Sequence, residues 1–299
     1  MDNMTVEKSP TLVTINYNSA DMVDRLLRSV DVDMKLVVVD NHSTAEARKE
    51  ISEVCRRYGA TLILSENDGF AGGLNRANME IGVESGLLLV NPDVTFRQGA
   101  IECLLRDAAS SGSDLLSPSI VVAGSDATWF RGGSVSAILE VTHTGFGRKL
   151  APRIGVESTE FISGCVVLFS PRARAQVLPL DSSLFLYYED VLMSLKATEL
   201  GLSVGVSQGA VAEHAEGGTS NNGYSGRSVL YYYYQSRNRL IAAKRVGSSA
   251  RRIALLGTPY IFSKTLYRLY RDEDQSRGEK FRAVLNGVVD GVRGIDGQR

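Results

Sequence analysis

Five side chains carry most of the chemistry this sequence offers: Asp40, Asp93, Glu189, Asp190 and His214. Asp40 closes the β-branched run Val37-Val38-Val39 and is followed by Asn41-His42-Ser43. An aspartate at a strand end either caps the next turn or accepts hydrogen bonds from the base or ribose of a nucleotide. Asp93 stands just past Leu87-Leu88-Leu89-Val90, where Pro92 stops strand pairing. Its carboxylate either closes a turn or binds Mg2+ or Mn2+, hard cations that keep waters and bridge phosphate oxygens. Glu189 and Asp190 separate Phe185-Leu186-Tyr187-Tyr188 from Val191-Leu192-Met193-Ser194-Leu195. There they either complement a helix dipole or supply a general base that takes the proton from a hydroxyl. His214 follows an apolar strand and is one of three histidines. It is either a structural imidazole or, when neutral, a metal ligand partnered by Asp93.

Two further segments could face phosphate. Asn67-Asp68-Gly69-Phe70-Ala71-Gly72-Gly73-Leu74-Asn75 places three glycines between a strand and a helix. Glycine lets backbone N–H groups approach an anion closely and the helix start favours negative charge, although a plain flexible turn has the same composition. The spacing matches neither a P-loop nor GxGxxG. Arg237 and Arg239, flanking Asn238 after a tyrosine run, could pair with phosphate through their planar forks or remain solvated helix charges.

These residues need a frame that brings them together. Apolar runs at Leu12–Asn16, Lys35–Asp40, Thr61–Leu64 and Leu87–Val90 alternate with helical stretches near Asp21–Val30, from Ala45, and up to Ile81, the rhythm of βαβ units. Ser43 and Glu46 read as a capping box. Ligands of an open parallel sheet bind beyond the carboxyl ends of its strands, so Asn16, Asp40, Asn67 and Asp93 are expected in one cleft. The second half is less regular, with a strand over Phe161–Ser170, a helix from Glu189 to Gly201, and short strands around Val204 and Val211. From Tyr224 onward the pattern is helical, and residues 237–282 hold 12 Lys and Arg against 4 Asp and Glu.

Bulk properties narrow the class. A chain of 299 residues with 43% apolar content can bury one large core plus an appendage. A formal net charge of −1 argues against a dedicated nucleic-acid binder. Cys55, Cys103 and Cys165 form no CxxC pair, so neither a disulfide framework nor structural zinc is indicated. With no secretory h-region and no long uncharged apolar run, a cytoplasmic location is expected.

In order along residues 10–245, the segments Val13–Ser19, Val38–Ser43, Asn67–Asn75, Leu89–Asp93, Phe161–Gly164, Tyr188–Val191, His214–Ser220 and Arg237–Arg239 resemble glycosyltransferase family 2, within it the rhamnosyltransferase-like branch. The resemblance implies an α/β GT-A nucleotide-diphospho-sugar transferase fold: a Rossmann-like mixed sheet with helices on both faces plus a C-terminal helical appendage. The catalytic domain would span 1–235, its nucleotide-sugar half about 10–95 and its acceptor half about 96–235, with the appendage over 236–299. The implied activity is inverting, metal-dependent transfer of a sugar onto a hydroxyl of a saccharide or lipid-linked saccharide in cell-surface polysaccharide synthesis. L-rhamnose from dTDP-rhamnose is the branch-weighted choice, and a galactofuranosyl or other hexosyl group from a UDP-sugar the alternative.

Residue by residue, the resemblance implies that Asn16, Asn18, Asp40, Asn67, Gly69, Phe70, Gly72, Gly73, Asn75, Asn91, Asp93, Arg237 and Asn238 face the nucleotide sugar. Asp93, with His214, holds Mg2+ or Mn2+ in a DXD motif that here reads Asn91-Pro92-Asp93; Asp190, beside Glu189, is the base. Trp129, Gly164 and Tyr188 are expected on the acceptor side. Asn91 in place of an acid keeps open a degenerate nucleotide-sugar-binding protein, and a nucleotidylyltransferase would share the strand-end site. The basic, apolar stretch Ile253–Tyr270 fits either the inner face of the plasma membrane, as a peripheral contact, or a protein surface such as another copy of the chain.

Overall fold

The computed structural model describes residues 9–82, 85–215, 227–273 and 275–299. The first 90 residues alternate β1 (Thr11–Asn16), α1 (Ala20–Arg28), β2 (Leu36–Asn41), α2 (Ala45–Tyr58), β3 (Thr61–Ser65), α3 (Gly69–Glu80) and β4 (Leu87–Val90). There follow β5 (Val94–Phe96), α4 (Ala100–Ser111), β6 (Leu115–Val122), β7 (Thr128–Phe130), the hairpin of β8 (Gly133–Val135) and β9 (Val141–His143), and β10 (Val156–Ser158). Then come β11 (Val166–Phe169), α5 (Pro171–Val177), a 3-10 turn at Ser182–Leu184, α6 (Glu189–Glu199) and β12 (Val204–His214). The chain ends in α7 (Val229–Arg245), α8 (Ser248–Leu256), α9 (Thr258–Asp272) and α10 (Arg277–Arg293).

The main sheet runs β10-β12-β6-β11-β4-β1-β2-β3, with β5 on β12 and β7 on β6. β3, β2, β1 and β4 are parallel, whereas β11 lies antiparallel between β4 and β6. Helices cover both faces, which is why β1 and β4 are buried at every position rather than alternating, and why β4 is apolar throughout. One core packs α1, α2 and α4 on one face; the other packs α3, α5 and α6 on the opposite face.

Several sequence expectations change in detail. The N-cap of α2 is Thr44, whose hydroxyl accepts from the Ala47 amide, so Ser43 is free for another role and the expected capping box does not form. The strand expected over Phe161–Ser170 is limited to Val166–Phe169, and the two short strands at Val204 and Val211 are the single, bulged β12. The start of the helical region near Tyr224 lies outside the described residues; α7 runs from Val229 through the 235/236 position expected to divide the chain. A third apolar cluster joins Phe185, three α7 tyrosines, Leu269 of α9, and Ala283 and Val284 of α10. Gly287 and Gly291 let α10 close on α7: a Cβ at either would come within 2.4 and 2.8 Å of the Tyr233 and Arg237 carbonyl oxygens. Among the described residues, no helix is long and apolar enough to cross a membrane.

Candidate functional site

The ends of β1 and β2 are locked by side chains. Asn16 donates to Asp40 at 2.8 Å and to the Ser43 hydroxyl at 3.2 Å, and its Oδ1 accepts from the Ser19 amide. Asp40, fully buried, also takes the Ser43 hydroxyl and amide and Arg48 Nε. Asn18, exposed at φ 52°, accepts from the Thr44 amide. Asp40 and Asn16, both expected at the nucleotide, are enclosed here and partnered within the strand-end network. The accessible rim is Tyr17 and Asn18.

Strand register explains how Asp93 meets His214. Asp93 immediately precedes β5, and Val94 of β5 is paired opposite His214 at the end of β12. Asp93 Oδ2 lies 3.2 Å from His214 Nε2, and the Ala215 amide donates to the Asp93 carbonyl. The Trp129 ring is centred 4.5 Å from that of His214. The Gly217–Ser220 part of the His214 motif lies outside the described residues.

The carboxylate pair belongs to the same region. Asp190 Oδ2 accepts from the Gly164 amide at 3.3 Å, and its Oδ1 from the Val191 amide. A Cβ on Gly164 would lie 3.5 Å from Asp190 Cβ and 3.7 Å from the Phe70 ring, so residues 70, 164 and 190 converge. Cys165 joins the two strand ends, its carbonyl accepting from the Asn91 amide at 2.8 Å, and burial, then the charges of Asp93 and Asp190, push its thiol well up. Tyr187, which the sequence reading passed over, is pushed up to about 12 by burial, with Tyr231, Glu189 and Asp93 contributing.

Two observations mark this cluster as a place for ligands. Seven buried side-chain polar atoms lack a hydrogen-bond partner among the described residues. Four belong here: Asn91 Oδ1, Asp93 Oδ1, Glu189 Oε2 and His214 Nδ1. Such orphans are rare and costly, so their concentration calls for a bound species. Both carboxyls are also raised: Glu189 by burial and then by Asp190's charge, Asp190 by burial, opposed by its amide donors. The pair therefore holds a proton more readily than isolated carboxylates.

The fit to a divalent cation is that of an open site. Asp93 offers an unpartnered oxygen beside an imidazole, and no group of three or more His, Cys, Asp or Glu is gathered among the described residues. Two protein ligands would leave the remaining positions to water and phosphate oxygens, as Mg2+ and Mn2+ favour.

Elsewhere the site differs from expectation. The glycine segment is the first turns of α3, not a loop. Gly69, at φ +76°, is required because a Cβ would meet the Phe185 carbonyl oxygen at 2.1 Å, and Gly73 because it would meet Ile15 at 2.7 Å. A Cβ on Gly72 would strike the Asp68 side chain at 2.5 Å. Asn67 turns back to the Gly69 amide, and Asn75 bonds both ways to the Leu180 backbone at 2.8 Å. Tyr188, expected on the acceptor side, is buried with its hydroxyl donated to the Leu139 carbonyl. Arg237 and Asn238 are buried and aimed at main-chain carbonyls rather than at phosphate. Finally, Phe185, Tyr187 and Tyr188 have φ of 67°, 68° and 74° immediately before Glu189. Left-handed backbone at bulky residues costs about 1–3 kcal/mol each and concentrates at functional sites.

Comparison with known proteins bears on the family and the fold. The sequence family described as Glycosyl transferase family 2 matches residues 11–173. The low-salt glycan biosynthesis hexosyltransferase Agl10 of Haloferax volcanii is 23% identical over 253 residues, covering 80% of this chain and 77% of the relative. The structure of GalNAc-T7 with UDP, GalNAc and Mn2+ superposes with a TM-score of 0.63 at 14% identity, over 98% of this chain and 57% of that one. The chain thus spans little more than half of GalNAc-T7. TarS 1–349 of S. aureus in complex with UDP-GlcNAc superposes with a TM-score of 0.54 at 17% identity, over 96% and 81%. These likenesses show the fold, which is GT-A as the sequence led one to expect.

Proposed function

Because this chain belongs to glycosyltransferase family 2, we propose that it moves a hexosyl group from a nucleoside-diphosphate sugar to a hydroxyl of a saccharide or lipid-linked saccharide, inverting the anomeric carbon. The observation that supports this reading is the contact of Asp93 with His214, tied through Gly164-Cys165, whose backbone bonds both Asp190 and Asn91, to the carboxylate pair Glu189-Asp190, with unpartnered polar atoms on Asn91, Asp93, Glu189 and His214. Asp190 is the base. Its raised affinity for protons, set by burial, brings it nearer to neutrality, where a general base works best. As the acceptor oxygen attacks the anomeric carbon and the bond to the diphosphate breaks, the hydroxyl proton passes to Asp190. Asp93 and His214 would hold Mg2+ or Mn2+, which when bound offsets charge on the leaving diphosphate. Tyr17 and Asn18 form the exposed rim beside the strand-end network, where the nucleotide would lie.

L-rhamnose from dTDP-rhamnose is the transferred group that the rhamnosyltransferase-like motifs favour. The presence of UDP with GalNAc-T7 and of UDP-GlcNAc with TarS supports a UDP-hexose as the second reading. The acceptor would be met at a membrane face by α8 and α9, which expose Leu256, Tyr260, Tyr267 and Tyr270 beside Arg268 and Arg271.

A panel of dTDP- and UDP-sugars, each with Mg2+, Mn2+ or EDTA, scored for nucleoside diphosphate release, tests this function. Asp190→Asn should lower turnover of the accepted donor by about 10² to 10⁴. Full turnover by that variant, with donor binding unchanged, would remove Asp190 from the reaction.

A further inference from the structure

The peptide just before Glu189-Asp190 is held from behind by Arg237 and Asn238, the two residues of α7 that the family resemblance placed at the nucleotide sugar. Asn238 Nδ2 donates to three carbonyls of that peptide, those of Leu184 at 2.9 Å, Leu186 at 2.6 Å and Tyr187 at 2.9 Å. Arg237 donates from Nη2 to Leu184 at 2.7 Å, from Nη1 to the Gly297 carbonyl at 2.6 Å, and from Nε to Asn238 Oδ1 at 2.8 Å. The C-terminal tail closes the bundle: the Gly297 amide donates to the Ser183 carbonyl at 2.6 Å, and Arg245 pairs with both Asp181 and Asp296. On its inner side, the Phe185 carbonyl accepts from the Phe70 amide at the start of α3.

The backbone so held would not keep this shape unaided. Three non-glycine residues, Phe185, Tyr187 and Tyr188, adopt positive φ in a stretch of four, and such backbone persists only where its surroundings over-determine it. We propose that Asn238 and Arg237 are positioning residues, holding 184–188 in the left-handed course that sets where the Glu189 and Asp190 carboxylates stand. The inference rests on the transferase reading for its kinetic consequence and on hydrogen bonding alone for its structural one. It also assigns the C-terminal tail a part in the site, as the outer tie on Arg237.

Asn238→Asp tests it in the full chain. The substitution keeps size and shape but replaces the N–H donors with an acceptor facing three carbonyls. By hydrogen-exchange mass spectrometry, amides of 185–192 should exchange about 10-fold or more faster while β1 to β4 keep their protection. With Mn2+ and the donor that the panel identifies, kcat should fall about 10²-fold, the donor KM should stay within about threefold, and the acidic limb of the kcat–pH profile should move. Arg237→Lys, which keeps the charge but not the fork, should give a smaller change of the same kind. Unchanged exchange over 185–192, or loss of protection spread evenly across the sheet, overturns the proposal. If the wild-type chain turned over no donor, the transferase reading would fail by itself, and the exchange result would still decide the positioning claim.

Discussion

Glu189→Gln should make this protein more stable, and only above mildly acidic pH. Glu189 is partly reachable by solvent, its Oε2 has no partner, and Asp190 stands next to it. Burial, then Asp190's charge, raises the pKa of Glu189 in the folded state above the value of 4.5 expected when unfolded. A carboxyl raised in this way binds its proton more tightly when folded. Folding is therefore favoured while both states are protonated, and that advantage is lost as pH climbs from the unfolded pKa through the folded one. Each unit by which burial raises a carboxyl's pKa disfavours its ionised form in the folded state by about 1.4 kcal/mol, reduced here by partial access to solvent. Glutamine keeps the shape and removes the charge, so the variant should recover about 1–3 kcal/mol at pH 8 and almost nothing at pH 4. For a chain of this size that corresponds to a rise in Tm of about 2–6 °C. Melting curves of both proteins from pH 4 to 8.5, without metal or nucleotide, supply the difference directly. A gain that is equal at both ends of the range, or a loss at pH 8, would refute the reasoning.

Other outcomes follow from single contacts. Gly69→Ala combines a φ of +76° with a Cβ 2.1 Å from the Phe185 oxygen, so it should cost about 3 kcal/mol and lower Tm by about 6 °C or more. Trp129 is the sole tryptophan and its ring is 4.5 Å from His214, so titrating paramagnetic Mn2+ should quench its fluorescence; His214→Ala should weaken that response about 10-fold or more. Co-sedimentation with anionic vesicles should occur and fall with salt, and Arg268→Glu with Arg271→Glu should weaken it by at least about fivefold per site, from about 1 kcal/mol per basic residue at the surface.

How much of this was readable depended on whether a residue's partner is local. β2 and β4 were legible because interior strands of a parallel sheet covered on both faces favour near-continuous apolar runs, and Asp93 because proline fixes where its strand ends. The meeting of Asp93 with His214 needed the β5–β12 register, which spacing does not encode. The glycines of α3 are ambiguous in sequence for a physical reason: close approach to a phosphate and close approach to a neighbouring chain segment require the same missing Cβ, and the neighbours seen here are the Phe185 carbonyl and Ile15. Ser43 read as a cap because its hydroxyl has the right spacing, but Asp40 and Asn16 claim it. Nothing in Phe185-Leu186-Tyr187-Tyr188 announces positive φ, since that conformation is imposed from α7.

The same contacts bear on whether the C-terminal helices are an appendage. A separable unit would join the rest through few buried groups, yet α7 runs without a break across position 235 and buries Tyr232, Tyr233, Tyr234, Arg237, Asn238 and Arg239. Charged and amide side chains are enclosed only when their hydrogen bonds are met, and those of Arg237 and Asn238 are met by carbonyls of residues 184–187 and of the tail at Gly297. The peptide that precedes the carboxylate pair therefore has its supports on the far side of the supposed boundary. Cutting there would leave those carbonyls and three left-handed residues without the groups that hold them, so on the proposed reading α7 and the tail support the carboxylate pair from behind.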